Sequence, residues 1–379
     1  MLVKTNKTVA VAMSGGVDSS ACAILLKKKG YSVIGVSMHL TSAESNYSEG
    51  LKTCCGAEDL LDAKKVCVKL GIPHFVVNLE SEFKTAVIDR FISEYLGGKT
   101  PNPCILCNSE MKFDILLKRI KELGAEFLAT GHYARITKNI SGGYSLLKSK
   151  DSAKDQSYVL YNLTQENLKD IMFPVGNLDK PDIRKIAYES GFKEISGKKD
   201  SVEICFVPGK DYAAYIKKEK QKAGFPSGRE PGQERACPAD TGFIKNLKGE
   251  ILGEHKGIYN YTVGQRKRLG ISSKSPLYVV KISAKNNEIT VGNLEDCAMD
   301  DLTAENFNFI RQEYKNRLAE MELSAKIRYS SPNYKCRAIP CGNGDKIKVL
   351  FAQKVKFITP GQSAVLYCGN KVIGGGIIE

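Results

Sequence analysis

Tryptophan is absent from this chain of 379 residues and histidine occurs only four times, so each histidine has to be weighed singly. No apolar run approaches the roughly 18 residues of a membrane-spanning helix, which excludes a helical membrane protein. The N-terminus passes straight into a strand-like stretch, so no secretory signal is expected and the cytoplasm is the expected compartment. Two nucleotide motifs are also missing. No GxGxxG opens the first helix, and Gly97-Gly98-Lys99-Thr100 only looks like the end of a Walker A loop, because Ser93 stands where that loop needs its first glycine. There is no internal repeat, no low-complexity tract and no glutaminase-like region.

Acidic residues are scarce beside basic ones: 42 Asp and Glu against 56 Lys and Arg leave a net charge of +14. The excess is uneven, +4 over residues 1–205 and +10 over residues 206–379. A basic second half points to a polyanionic partner, nucleic acid first among them. Cysteine is plentiful, with twelve residues. In a chain without export signals these are expected as reduced thiols, most of them small and buried. Cys22 and Cys67 lie on apolar helix faces, and the spacing of Cys336 and Cys341 fits no metal signature.

The most informative stretch is Val9-Ala10-Val11-Ala12-Met13-Ser14-Gly15-Gly16-Val17-Asp18-Ser19-Ser20. It reads as a short apolar strand, a glycine turn and a helix over 19–29 stopped by Gly30. The glycines permit close backbone approach, and the amides at the helix start suit a phosphate. Further strands are expected at 31–40, 74–79 and 127–131, with helices at 57–70, 80–96 and 108–123. That alternation implies an α/β fold with a doubly wound parallel sheet, whose ligands sit at the carboxyl ends of the strands. Met38, Gly131 and His132 fall at such ends. A hairpin is expected over 134–148, a helix over 180–191 and a short strand over 203–207 that contains Cys205. The pattern then changes. We expect a catalytic unit over 1–210, a small central unit over 211–282 and an all-β, barrel-like unit over 286–379, with strands at 289–291, 323–329, 346–351 and 363–368.

A second stretch, Thr100-Pro101-Asn102-Pro103-Cys104-Ile105-Leu106-Cys107-Asn108, is a loop stiffened by two prolines that leads into a helix. It delivers Cys107 to the helix start, where the dipole favours a thiolate. The CxxC spacing of Cys104 and Cys107 suits a redox pair, half a zinc site or part of an iron–sulfur cluster. Cys205 alone reads as a core residue. It becomes a partner for covalent sulfur chemistry only if the fold brings it to Cys107.

In order, these motifs resemble one family. The order SGGVDS is similar to the pyrophosphate loop of the N-type ATP pyrophosphatases. The whole series resembles the tRNA-specific 2-thiouridylases: Ala12 to Ser19, Cys54-Cys55-Gly56, Thr100 to Asn108, Thr130-Gly131-His132-Tyr133, Lys154-Asp155-Gln156-Ser157, Ile204-Cys205-Phe206, Tyr261 to Arg266, Ile327-Arg328-Tyr329 and Thr359-Pro360-Gly361-Gln362-Ser363. The resemblance implies ATP on Ala12, Met13, Ser14, Gly15, Gly16, Val17, Asp18 and Ser19, with Met38 and Gly131 near the adenosine and Mg²⁺ on the pyrophosphate. It implies adenylation of the wobble uridine O2. A persulfide on Cys205, loaded by a cysteine desulfurase or a sulfur-relay protein, then supplies sulfur, and Cys107 releases sulfide or closes a disulfide with Cys205. Asn102, Pro103 and Cys104 would line the target base. His132, Lys154, Asp155, Gln156, Arg328, Tyr329 and Gln362 would meet the tRNA. The chain departs from many members at Cys104, where they carry aspartate. That leaves three candidate thiolates, Cys104, Cys107 and Cys205, which is the ligand number of a [4Fe–4S] cluster with one open iron. The rival readings are an amidating ligase, which lacks an ammonia source, and a non-catalytic RNA binder, which has no use for the phosphate loop.

Overall fold

The structure is a computed structural model that describes residues 6–41, 56–140, 142–198, 204–207, 209, 211–222, 240–342 and 345–379. Cys54 and Cys55 lie outside the described residues, as do Pro208 and Lys210 at the expected unit boundary near 208–212.

The first unit is built on five strands: β1 (Thr8–Ala12), β2 (Ser32–His39), β3 (His74–Asn78), β4 (Phe127–Ala129) and, beyond a β-hairpin, a two-residue strand at Ile171–Met172. They run parallel in the order β3-β2-β1-β4 with the Ile171–Met172 strand outermost. Side-chain alternation sorts their residues onto two faces. Ala10, Ile34, Val36 and Leu128 face Phe83, Val87, Phe91 and Met111, which lie on the helices over 80–96 and 103–122. Val9, Val11, Val33 and Ala129 face Ala21, Leu26, Val66 and Ile183 on the helices Val17–Lys28, Ala57–Leu70 and Lys180–Glu189. Both faces of β1, β2 and β4 are covered, which is why those strands read as near-continuous apolar runs, while Phe75 and Val76 of β3 stay exposed.

The hairpin strands β5 (Ala134–Lys138) and β6 (Tyr144–Lys148) leave this sheet and join another. With the Ile171–Met172 strand as β7, the central unit comprises β8 (Gly242–Asn246), β9 (Ile251–His255), β10 (Tyr278–Ser283) and β11 (Glu288–Gly292), ordered β10-β11-β8-β9 around its own small core of Ile244, Ile258, Val279, Ile289 and Val291. The strand expected at 289–291 in the third unit is thus β11 of the second, paired with β10 and β8. Its sequence is equally apolar in either place, so only the pairing assigns it.

The third unit closes β12 (Ala298–Phe309), β15 (Lys346–Lys356), β14 (Tyr334–Cys341), β13 (Leu323–Lys326), β16 (Ser363–Cys368) and β17 (Lys371–Ile378) into a six-stranded barrel through the β12–β17 pairing. The strand expected over 323–329 stops at Lys326, and residues 327–329 form the following turn. β6 docks on β17 at Leu147 and Lys371, so the first unit's hairpin extends the barrel sheet, and one core runs from Ala10 to Ile378.

Phe91 is 1% exposed and packs edge-on against Phe206 at 5.2 Å and Tyr95 at 4.9 Å. Phe91→Ala is expected to cost about 3–5 kcal/mol, read as a fall in the urea unfolding midpoint.

Candidate active site

β1 ends at Ala12, and Met13 keeps the sheet register for one more residue by donating its N–H to the Val36 carbonyl at 2.8 Å. The chain then turns through Ser14, Gly15 and Gly16. Gly15 has φ +69°, and a Cβ there would lie 2.4 Å from the backbone oxygen of Asp59. The turn is closed by hydroxyls: the Ser14 amide donates to Ser19 Oγ at 3.2 Å, and Ser19 Oγ and Ser20 Oγ donate to the Gly16 carbonyl at 3.1 and 2.8 Å. Gly16 is the N-cap of the helix Val17–Lys28, and no side chain caps it. Its first amides are therefore available to an anion. From β1 the sheet grows one way through β2 and β3 and the other way through β4, so this turn lies at the switch point where ligands bind. Gly131, just past β4, abuts the helix start: a Cβ would sit 2.7 Å from the Asp18 carbonyl carbon. Ala12, Met13, Ser14, Gly15, Gly16, Val17, Asp18, Ser19 and Gly131 thus converge. Met38 lies at the end of β2 and is buried.

Two lysines complete the turn, and neither stood out in the sequence. Lys180 Nζ donates to both carboxylate oxygens of Asp18 at 2.8 and 2.9 Å, and the Tyr133 hydroxyl donates to Asp18 Oδ1 at 2.7 Å. Lys198 Nζ donates to the Gly15 carbonyl at 3.3 Å, Asp59 Oδ1 at 2.6 Å and Asp62 Oδ2 at 3.1 Å. Burial works against the Lys198 ammonium, but its bonds to Asp59 and Asp62 outweigh that and raise its pKa. Asp62 shifts the other way: burial opposes its charge, and Lys198 and Lys65 overcome it. Both lysines are more than 160 residues from the turn, so no spacing rule reveals them; the lysine-rich run after 196 was the only signal.

The second stretch begins its helix earlier than expected. Asn102 is the N-cap, accepting the Cys104 amide on Oδ1 at 3.1 Å, and Pro103 takes the first helical position. That pairing is a strong start signal, whereas Asn108 lies buried inside the helix with Nδ2 on the Val159 carbonyl at 3.1 Å. The thiol at the helix start is therefore Cys104, which is exposed. Cys107 lies one turn further in and is half-buried, where the helix widens to π geometry over Cys107–Leu116. Cys205 is half-buried and sits in a turn, with the Val207 amide on the Ile204 carbonyl at 3.1 Å, and not in the expected strand. Its neighbour Phe206 wedges between Phe83 and Phe91, at 5.6 and 5.2 Å. The segment Pro103–Leu106 packs on residues 84–88 of the same helix, so helix 80–96 is a common floor for both thiol-bearing turns. Among the described residues no group of three or more His, Cys, Asp or Glu is placed to hold a metal ion, so Cys104, Cys107 and Cys205 do not form a cluster site in this arrangement. Cys22, Cys67 and Cys336 are buried, and burial pushes the thiol of Cys67 up to about 11 and that of Cys336 up to about 12.

The remaining candidates divide. Tyr329 is exposed beside Tyr158, ring centroids 6.1 Å apart, with Lys326 Nζ over both rings at 5.7 and 6.0 Å. Lys148 Nζ lies 4.1 Å over the Tyr367 ring. Burial pushes the pKa of both lysines down. Lys154 is half-buried in the turn before Asp155. Asp155 accepts the amides of Ser149 and Ser157, at 2.9 and 3.3 Å, and the Ser157 hydroxyl at 2.8 Å. Gln156 Oε1 accepts the Tyr133 amide at 2.9 Å. His132 is buried between Phe113 and Phe173, its Nδ1 2.7 Å from Thr130 Oγ1, and burial holds its pKa well below the usual value. Arg328 Nη2 donates to the carbonyls of Val263 and Phe357 and to Thr359 Oγ1, and Gln362 Nε2 donates to the Thr100 carbonyl at 2.7 Å.

Lys180→Gln strands the part-buried Asp18 carboxylate, so a loss of about 1–3 kcal/mol in unfolding free energy is expected. A double-mutant cycle with Asp18→Asn, followed by denaturant unfolding, should recover most of it.

The first unit matches the family model described as the tRNA methyl transferase HUP domain over residues 7–209, the second the tRNA methyl transferase PRC-barrel domain over 234–293, and the third the aminomethyltransferase beta-barrel domain over 299–378. The chain is 47% identical over 376 residues to the tRNA-specific 2-thiouridylase MnmA of Clostridium kluyveri, covering 98% of this chain and 99% of the relative. It is 44% identical over 374 residues to the protein of the same name in Clostridium acetobutylicum, covering 99% of this chain and 100% of the relative. A solved 4-thiouridine synthetase–RNA complex with bound ATP aligns at a TM-score of 0.36 and 19% identity, over 57% of this chain and 51% of the other. With all three units matched in order and relatives this similar along the whole length, the chain belongs to the tRNA-specific 2-thiouridylase family.

Proposed function

We propose that the chain is an ATP-consuming tRNA-uridine 2-sulfurtransferase acting in the cytoplasm, and that its substrate is the wobble uridine of tRNA anticodons. The observation that carries this reading is the pairing of a pyrophosphate-type turn with two thiol-bearing turns that share helix 80–96 as a floor. A phosphate cradle alone would serve many ligases; thiol-bearing turns in the same catalytic unit serve sulfur transfer.

ATP binds with its phosphates on the amides of residues 15–19, its adenosine near Met38 and Gly131. Lys180 and Lys198 stand ready to exchange carboxylates for phosphate oxygens. Asp18, the carboxylate in the turn, would hold a magnesium ion, which would neutralise charge on the leaving pyrophosphate. The uridine O2 attacks the α-phosphorus and pyrophosphate leaves. The outer sulfur of a Cys205 persulfide then attacks C2, and AMP leaves with the former O2. The Cys107 thiolate attacks Cys205 Sγ, forming a Cys107–Cys205 disulfide and freeing 2-thiouridine, and a thiol reductant resets the pair. A cysteine desulfurase or relay protein reloads Cys205. Asn102, Pro103 and Cys104 flank the base, while Lys154 and exposed Tyr329 offer phosphate and stacking contacts to an unstacked loop. Among the described residues no helix is long and apolar enough to cross a membrane.

The test supplies unmodified tRNA, ATP and a persulfide donor, followed by nucleoside mass spectrometry. Wild type should produce 2-thiouridine only with ATP, and its absence would overturn the reading. Asp18→Ala should abolish tRNA-stimulated pyrophosphate exchange and leave tRNA affinity nearly unchanged. Cys205→Ser should keep that exchange and lose thiolation. Affinity for tRNA should fall steeply with added salt, because each neutralised phosphate releases counterions; a flat response would contradict the role given to the basic second half.

A further inference from the structure

The two lysines at the phosphate turn are paired with carboxylates, Lys180 with Asp18 and Lys198 with Asp59 and Asp62. A third lysine of the first unit is not. Lys112 is half-buried on the helix that begins at Pro103, and its Nζ donates to Asn108 Oδ1 at 3.0 Å. Asn108 is buried and itself fixed, with Nδ2 on the Val159 carbonyl at 3.1 Å. Among the described residues Lys112 forms no ion pair with a carboxylate. The helix sets where its ammonium lies. Over Cys107–Leu116 the backbone has π geometry, whose hydrogen bonds span five residues, so Cys107 and Lys112 are one turn apart. Helical side chains lean toward the N-terminus, and the bond to Asn108 shows Lys112 leaning toward the thiol turn. Residues 123–126 turn this helix back into β4, so its start lies toward the carboxyl end of that strand. There Phe113, next to Lys112, meets the His132 ring at 5.8 Å. His132 follows Gly131, whose backbone abuts Asp18 and Ser19 at the phosphate turn. Burial first, and then the Lys112 charge, hold the His132 imidazole in its neutral form.

We propose that Lys112 is a further catalytic residue, whose ammonium binds the α-phosphate of the nucleotide. The proposal rests on the nucleotide site given above and deepens it. The outer phosphates belong to the amides of residues 15–19 and the target base to residues 102–104. The α-phosphorus joins the two, so it stands between the phosphate turn and the start of the thiol-bearing helix, on the side to which Lys112 leans. A half-buried ammonium whose printed partner is a neutral amide oxygen favours an anion beside it. Neutral His132 brings no competing charge to that place. When the uridine O2 attacks the α-phosphorus and pyrophosphate leaves, negative charge gathers on the non-bridging oxygens, and a fixed cation is worth most there. When AMP later leaves C2 with the former O2, the same ammonium meets the same phosphate. Lys112 keeps its protons throughout and forms no covalent bond.

The experiment uses the full chain with Lys112→Gln, which keeps a donor for Asn108 and loses the charge, and Lys112→Arg, which keeps the charge. Calorimetry compares AMP with adenosine, which differ only in the phosphate. Lys112→Gln should weaken AMP by about tenfold to a hundredfold, the worth of a charge-assisted hydrogen bond, and leave adenosine unchanged. Its tRNA-stimulated pyrophosphate exchange should fall about a hundredfold at an unchanged Kd for tRNA, and Lys112→Arg should recover most of the AMP affinity. In wild type, AMP but not adenosine should protect Lys112 from acetylation by an amine-reactive ester, mapped by mass spectrometry, a reading that needs no variant to fold. Three results overturn the proposal. Lys112→Gln could bind AMP as tightly as wild type, or AMP could give Lys112 no protection. AMP and adenosine could weaken equally, which makes Lys112 a strut of the pocket. Pyrophosphate exchange could stay normal while thiolation slows and alkylation of Cys107 moves to higher pH, which gives the charge to the thiol instead. Should wild type make no 2-thiouridine, the assigned function fails, while the comparison of AMP with adenosine still decides the role of Lys112.

Discussion

At the switch point of the parallel sheet, backbone has to meet backbone. Gly15 lies against the carbonyl of Asp59 and Gly131 against the backbone of Asp18 and Ser19, with no room for a side chain at either place. This steric constraint brings the first helix down onto the ends of β1 and β4 and leaves its leading amides without a side-chain cap. An uncapped helix start is costly unless something else occupies it, and a polyphosphate is the natural occupant. The hydroxyl ring of Ser14, Ser19 and Ser20 keeps the turn shaped, while Lys180 and Lys198 supply the compensating charge.

Around that point the three units are less independent than their sequence patterns imply. The hairpin of β5 and β6 belongs by chain order to the catalytic unit and by hydrogen bonding to the barrel sheet. Tyr158 and Tyr161 reach across to Ser363, Tyr158 with its hydroxyl on the Ser363 carbonyl at 2.9 Å. Asn308 reaches back, donating to the Tyr161 carbonyl at 2.7 Å. A shared core and buried polar bonds of this kind resist relative motion of the units. The central unit keeps a separate small core and attaches through few polar contacts, among them Thr262 and the Arg328 bridge.

Much of this was legible in advance. The phosphate turn, the doubly wound sheet, the hairpin and the barrel all follow from local pattern: apolar runs, glycine punctuation and β-branched strands. The errors are equally local. Local pattern starts the helix after the prolines at Asn108, but the Asn102-Pro103 cap starts it six residues earlier, and it makes a strand of the segment around Cys205 because five apolar-leaning residues cannot be told from an anchored turn. β11 went to the wrong unit because strand pairing is a long-range property. Lys180, Lys148 and Lys326 carry no local signal and Lys198 only the lysine-rich run around it, since a lysine looks the same in sequence whether it faces water or meets a carboxylate or a ring from a distant segment.

What the sequence determined by itself is therefore the set of local devices: a turn that only glycine can make, prolines that strip a loop of donors, and the order of motifs that marks the family. What only the tertiary structure decided is which residues meet. It set Asp18 against Lys180, Thr100 against Gln362, and the two thiol turns against one helix. The physical reason is that glycine and proline act through the torsions and hydrogen-bonding capacity of their own backbone, which are written in the residue, whereas ion pairs, clamps and packed rings depend on the distance between chain segments, which is known only once the whole core has closed.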